Sequence, residues 1–448
     1  MLPLKTLLFL ALFSLAVIGS IFYHPVSGII GYIFMYHINP VSHWWWDYIP
    51  QIAYRYAFII AAATSLGFAI HFSKLKWRKF WHLQEFFLFL FVALIWVSIP
   101  LGYNIEVESH AVKMGKILVI ILLGTHIVTT LRLYEAFLWT MVIAGLFLGI
   151  EMFNAPAWQF IHGRFQSGVG GSDFAEGNFL AAHFAMLLPF VGVLFLKSVW
   201  KYRALCFIAG MFMVNSIVQT RSRGVFLALL MGGIAAVYFA PRELRKKVAG
   251  LLALGLVGIV LLADPGFWQR MTSLEVDIVE TDSSAAGRVA AWKAAWSMAM
   301  DHPLGVGEGN FKALVERYNP LIAGKDTHNT FFRCLAELGF QGFLILMALI
   351  ANAFLILRRL TLATREVVEP DDARRNMFLM HHYAVKIALV VFLTSGMFIT
   401  HTYIEEFYWL LVMPVFLYRS WENEFEMVPE QVLQRDSEGP VQDFTPVR

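Results

Sequence analysis

Four arginines and one histidine set the chemical question. Arg221 and Arg223 stand two residues apart in TRSRG, at the edge of an apolar run. Arg288 opens GRVAAWKAAW, where Trp292 and Trp296 follow at i+4 and i+8 on the same helical face. Arg164 lies in HGRFQSGVGG. His328 follows Asp326 in DTHNTFFRCLAELGFQGFLIL, with Asn329 beside it and an apolar run directly after. Guanidinium forks bind phosphate oxygens bidentately. An imidazole takes up a proton near neutral pH. Together these groups suit one reaction. Arginines hold a phosphate or pyrophosphate and neutralise it as a leaving group, in place of a metal ion. The histidine removes the proton from a hydroxyl that attacks the carbon bearing the phosphate. Taken singly, each residue has a plainer role: arginines snorkel to head groups, and a lone interfacial histidine is more often structural. Asp326 or Thr327 is expected to cap the following helix. That places His328 in its first turn, where the helix dipole disfavours imidazolium.

The elements that must position these residues are membrane spans. Of 448 residues, 58% are hydrophobic and only 15% charged, against about 25% charged in soluble domains. Apolar stretches of bilayer length recur along the chain, without the short alternating segments of a membrane β-barrel. The expected fold class is an all-α polytopic membrane protein. Spans are expected near 5–22, 26–38, 52–72, 85–103, 114–130, 134–153, 178–197, 204–220, 223–240, 248–263, 330–357, 378–399 and 403–418. That makes 13, or 12 if the first two are one helix broken at His24-Pro25. The first is read as an anchor, not a cleaved signal.

Lys and Arg collect at 74–79, 197–203, 241–247 and 358–375. Positive charge marks cytoplasmic loops, and one alternation of crossings puts all four clusters inside. Residues 154–177, the QTRSRG turn and the long loop 264–329 then face outward. Within that loop, Ser283 or Ser284 is expected to cap a helix ended by His302-Pro303 and the glycines at 305, 307 and 309. It is too short and polar to span, so it should lie on the membrane surface. GVGEG follows a helix rather than a strand, which excludes a dinucleotide site. The domain reading is one membrane domain over 1–418, with outer loop 264–329 and cytoplasmic loop 358–377. A polar, disordered cytoplasmic tail follows over 419–448.

The order of these pieces resembles the O-antigen ligase and polymerase superfamily. The resemblance rests on Ser222-Arg223-Gly224, on Gly287, Arg288 and Trp292, on DHPLGVGEGNF, and on Asn178, Leu180 and Ala181. Most specific is THNTFFRCLAELGFQG, through His328, Asn329, Leu335, Glu337, Gly339 and Gly342. The matches run from about 164 to 345; the earlier spans match only in hydrophobicity. The resemblance implies a GT-C-like fold and a metal-independent, inverting transfer of a glycan from undecaprenyl pyrophosphate. The acceptor is a hydroxyl on a glycolipid, glycan or protein, and the setting is the periplasmic face of a bacterial inner membrane. It implies His328 as base and Arg223 and Arg288 as pyrophosphate ligands. Arg221, Arg164 and Asn329 are further substrate-binding candidates. The front end, INPVSHWWWDYIP, looks more like ligase-like proteins of exopolysaccharide and exosortase systems.

Other residues read more plainly. His126 and His183 are taken as helix-packing residues, and no histidine spacing suggests a metal site. No acidic cluster on the outer face looks like a magnesium site; Glu405-Glu406 and Asp282 are weak candidates. No cofactor is expected. Cys206 and Cys334 are too few for a thiolate zinc site. The net charge of +3 and the lack of a basic run give no nucleic-acid footprint. Trp44-Trp45-Trp46 reads as an interfacial belt. A polymerase with a lipid-linked repeat as acceptor is the nearest alternative. A transporter of lipid-linked sugars is further off, since no internal repeat is evident and the spans carry little charge at mid-depth.

Overall fold

A computed structural model describes residues 2–103, 110–171, 173–174, 176–240, 245–272, 285–366 and 372–426. The chain is helical almost throughout. In order it runs α1 (Leu4–Phe22), α2 (Val26–Ile38), α3 (Tyr56–Ile70), α4 (Leu83–Leu101), α5 (His110–Ile127) and α6 (Leu131–Phe153). A two-stranded hairpin follows, β1 (Phe160–Ile161) against β2 (Arg164–Phe165). Then come α7 (Gly177–Lys197), α8 (Trp200–Thr220), α9 (Arg223–Phe239), α10 (Arg245–Leu262), α11 (Pro265–Thr272), α12 (Ala285–Asp301) and α13 (Phe311–Tyr318). The last three are α14 (Thr330–Glu366), α15 (Asp372–Ser395) and α16 (Glu405–Trp421). Every expected span holds a helix. Among the described residues, nine helices are long and apolar enough to cross a membrane, or ten if the sharply bent pair α10 and α11 counts as one. This is an all-α polytopic membrane protein.

Helix α2 has 13 residues and so extends only about 20 Å, short of a hydrocarbon core of about 30 Å. It folds back antiparallel on α1 and does not continue it. A Cβ on Gly31 would sit 2.2 Å from that of Ala16, while Gly19 approaches Ser27. Lipid supplies no hydrophobic drive between helices, so such close backbone approach through small residues is what packs them. The break at His24-Pro25 is therefore a hairpin turn, and the first two segments are separate helices rather than one broken helix.

The connections gather at two ends of the bundle. At one end Trp77 donates to His126 O, Asn423 to Thr129 O, and Arg374 pairs with Glu424. Lys197 pairs with Glu135 at the same end. The contacts of Trp77, Arg374 and Lys197 tie three of the basic clusters into that end. At the other end Asn310 donates to Tyr103 O, Arg164 to Thr220 O and Asn39 to Gly170 O. Thr6 donates to Trp45 O there, so the chain starts at this second end.

One boundary differs from expectation. Helix α16 runs past 418 to Trp421, and the turn over 422–426 packs back, with Phe425 stacked on Trp421 at 4.2 Å. Phe378 packs on both rings, which holds residues 419–426 in the fold. The remainder of the expected tail, 427–448, lies outside the described residues, as do Ser283, Ser284 and Asp282.

Helix α14 is broken at Gly339, where φ is +69° and ψ −170°. The loop 303–311 fits into the break. Val306 N donates to Ala336 O, Gly307 N to Glu337 O, and Phe340 N to Pro303 O. Gly305, Gly307 and Gly309 all have positive φ. A Cβ on Gly339 would lie 2.4 Å from Pro303 O, so the break demands glycine for space and for backbone angle. The DHPLGVGEGNF and LAELGFQG elements are thus two halves of one joint.

Candidate active site

The segments that carry the arginines and His328 lie at the end of the bundle away from the basic clusters. Helix α8 ends in a left-handed Arg221 (φ +46°), and α9 starts two residues later at Arg223. The turn between them is the floor of the site. Arg221 is spent on structure: it pairs with Asp264 at 2.5 Å and donates to His162 O at 3.1 Å. Arg164 is similar, donating to Thr220 O at 2.9 Å and to Asn178 Oδ1 at 3.0 Å. These two guanidiniums stitch the β-hairpin, α7 and α8 together.

Arg223 and Arg288 stand differently. Arg223 Nε donates to Arg270 O at 2.7 Å, which brings α11 onto the start of α9. Burial lowers the pKa of Arg288 from the ordinary guanidinium value. Glu176 opposes that shift, while Arg270 and Arg223 add to it. The three guanidiniums therefore share one electrostatic neighbourhood. Arg288 Nε is buried with no hydrogen-bond partner among the described residues. A guanidinium N–H left without a partner is a donor that an anion can take up. Arg270 was not among the sequence candidates. It sits in a region read as loop, and its neighbours Phe267 and Trp268 gave the only hint of an amphipathic turn.

Helix α12 lies against the His328 turn. Trp292 Nε1 donates to Thr327 O at 3.0 Å, and its ring stacks on Phe332 at 5.7 Å. Arg288 is one helical turn before Trp292, so the tryptophan sets how far the guanidinium stands from His328. The i, i+4 reading of this helix holds.

The expected cap does not. Helix α14 begins at Thr330, and Asn329 caps it: its Oδ1 accepts from Phe331 N at 2.9 Å and Phe332 N at 3.0 Å. Asn329 Nδ2 donates to Met397 O at 2.9 Å. Neither Asp326 nor Thr327 is the cap, and His328 precedes the helix instead of lying in its first turn. Asparagine wins because its short amide reaches the two free N–H groups from directly before the helix. His328 has φ +46°, a conformation that costs a non-glycine residue roughly 1–2 kcal/mol. Thr327 and Asn329 are buried on either side, while His328 between them is half-buried. Such strain in a residue held by its neighbours is a mark of functional sites.

Asp326 is tied to the interior. Its Oδ1 meets Arg333 at 2.7 Å, and Arg333 meets Glu337 at 2.6 Å. Glu337 also accepts from Tyr403 OH at 2.8 Å and Phe311 N at 3.0 Å. Burial alone would raise the Asp326 carboxyl. Arg333, with Lys312 and His328, outweighs it and lowers the pKa to about 2. This chain through Arg333 escaped the sequence reading because its parts lie one and two turns inside an apolar helix.

Residues 208–347 match the family model described as O-Antigen ligase. The matched stretch runs from α8 to just past the break in α14. It contains Arg221, Arg223, Arg270, Arg288 and His328, and stops short of Arg164. The match places this region in the O-antigen ligase-like superfamily and supports a membrane glycosyltransferase of ligase or polymerase type. No curated protein matches the chain.

Proposed function

We propose that the protein is a polysaccharide ligase. It moves an assembled glycan from undecaprenyl pyrophosphate to a hydroxyl on a glycolipid, glycan or protein acceptor, at the periplasmic face of a bacterial inner membrane. Arg288 and Arg223, with Arg270, hold the pyrophosphate and neutralise it as it leaves. His328 takes the proton from the acceptor hydroxyl as its oxygen attacks the anomeric carbon on the opposite face, so the transfer inverts. The anionic Asp326 stabilises the imidazolium that results. Arg164, Arg221 and Asn329 position the others. The membrane domain works as one unit, with the 264–329 loop closing over its outer end. The observation that supports this reading is the hydrogen bond from Trp292 Nε1 to Thr327 O, which joins the helix bearing Arg288 to the turn bearing His328.

Purified protein in lipid, given undecaprenyl-pyrophosphate glycan with no added metal ion, tests it. Product formed only when a second, different acceptor is present is the expected result. A ladder formed from donor alone would make the protein a polymerase. Donor carried across the bilayer without transfer would make it a transporter.

A further inference from the structure

We propose that His37, His183 and Glu406 bind one divalent transition-metal ion, zinc in the simplest case, inside the helix bundle. The three come from α2, α7 and the first turn of α16. None is more than 2% exposed. Glu406 Oε1 lies 2.5 Å from His183 Nδ1 and 3.6 Å from His37 Nε2, and the three ligand atoms fall within 4.8 Å of one another.

The tautomer of His37 makes the argument. Its Nδ1 lies 2.7 Å from Ile33 O, a carbonyl that only accepts, so Nδ1 donates. In the neutral ring Nε2 is then a bare lone pair, and it faces a carboxylate oxygen. Two acceptors face each other in a dry interior, and a cation between them is the arrangement that satisfies both. A proton shared by His183 and Glu406 would leave His37 Nε2 unmet, and that atom has no hydrogen-bond partner among the described residues. A metal ion takes all three atoms at once. Two imidazoles and one carboxylate with a fourth position open is a zinc donor set, and imidazole disfavours magnesium and calcium. A ligating histidine commonly donates its other ring N–H to a backbone carbonyl, as His37 does.

The surroundings hold two further carboxyl groups, Asp173 and Glu405. Asp173 accepts from Tyr36 OH and from Glu405 N. Glu405 accepts from Tyr32 and Trp409. Among the described residues, Lys113 is the cation that pairs with Asp173. A divalent ion would favour the ionised form of these carboxyl groups. It would also join three helices that lie far apart in the sequence, so its binding energy would stabilise the fold.

The test is metal content. Tag-free protein is loaded with ZnCl2, separated from free metal and analysed by mass spectrometry. About one zinc per chain is expected in the parent and in His302→Ala. Zinc should fall roughly fivefold or more in His183→Ala, His37→Ala and Glu406→Gln. The parent Tm should rise with ZnCl2 and fall with EDTA. This second readout stands even where a variant fails to fold. A parent that carries no zinc and whose Tm ignores ZnCl2 overturns the proposal, as does a folded His37→Ala that keeps its full zinc. Both readouts are independent of glycan transfer.

Discussion

Arg419 and Arg288 occupy opposite ends of the same bundle and do opposite work. Arg419 is 1% exposed, donates to Thr125 O at 2.5 Å and to Phe80 O at 2.6 Å, and pairs with Glu85 at 3.0 Å. Its charge is met by a carboxylate and two carbonyls, and it locks α16 to α4 and α5. Arg288 is also buried in large part, yet its charged neighbours are two further arginines and Glu176. One guanidinium is a finished joint. The other stands beside two further arginines, with a nitrogen that has no hydrogen-bond partner among the described residues. Residue type does not separate them; the sign of their neighbours does.

The comparison breaks most sharply at His328. His328→Ala should cut transfer by about 10²- to 10⁴-fold, the usual contribution of a positioned base, with membrane abundance on an immunoblot unchanged. Near-parent turnover would remove it as base. Arg419→Ala should act on stability, since a buried carboxylate stripped of its partner costs about 3–5 kcal/mol. Less folded protein is expected, with turnover per folded molecule at the parent level. If turnover per folded molecule fell instead, the two ends would not be separate. Arg288→Lys keeps charge but loses the fork; roughly tenfold to 10²-fold lower kcat/KM is expected at unchanged Tm. A normal kcat/KM would move Arg288 into the same class as Arg419.

The smallest effect concerns Asp326. Its pKa is about 2 in the folded protein, below an ordinary value of about 3.9. A depressed carboxyl contributes stability above the unfolded pKa and loses it as pH falls. The contribution, at most about 2 kcal/mol, should therefore disappear between about pH 4 and pH 2. Asp326→Asn should flatten that part of the Tm-against-pH curve. A curve identical to the parent would mean that the Arg333 pair adds nothing to stability.

Hydrophobic length alone located the helices, because a bilayer imposes nearly the same constraint on every span. The surface helix and its Arg288–Trp292 face were legible for a similar reason: a 3.6-residue period is local. What failed was what depends on distant partners. The cap fell to Asn329 because the loop at 396–401 holds that asparagine in place, and Asn329 Nδ2 and Thr330 both bond to it. Arg221 and Arg223 are two residues apart, yet one pairs with Asp264 while the other joins the cation cluster. Their spacing says nothing about that. Arg270 and the His37–His183–Glu406 trio have no sequence signature, since three separate helices build the latter.

Glu308 lies in the loop that fills the break in α14, and its carboxylate accepts from the N–H groups of His110 and Ala111 at the start of α5. Tyr103 N donates to Val306 O beside it. The clasp joins the first third of the chain to a segment that leaves the ribosome far later. During synthesis α5 is made long before Glu308, so these two contacts form only once the 303–311 loop has been made. Assembly of this protein therefore has a built-in order of events, and its front half matures only when its back half arrives.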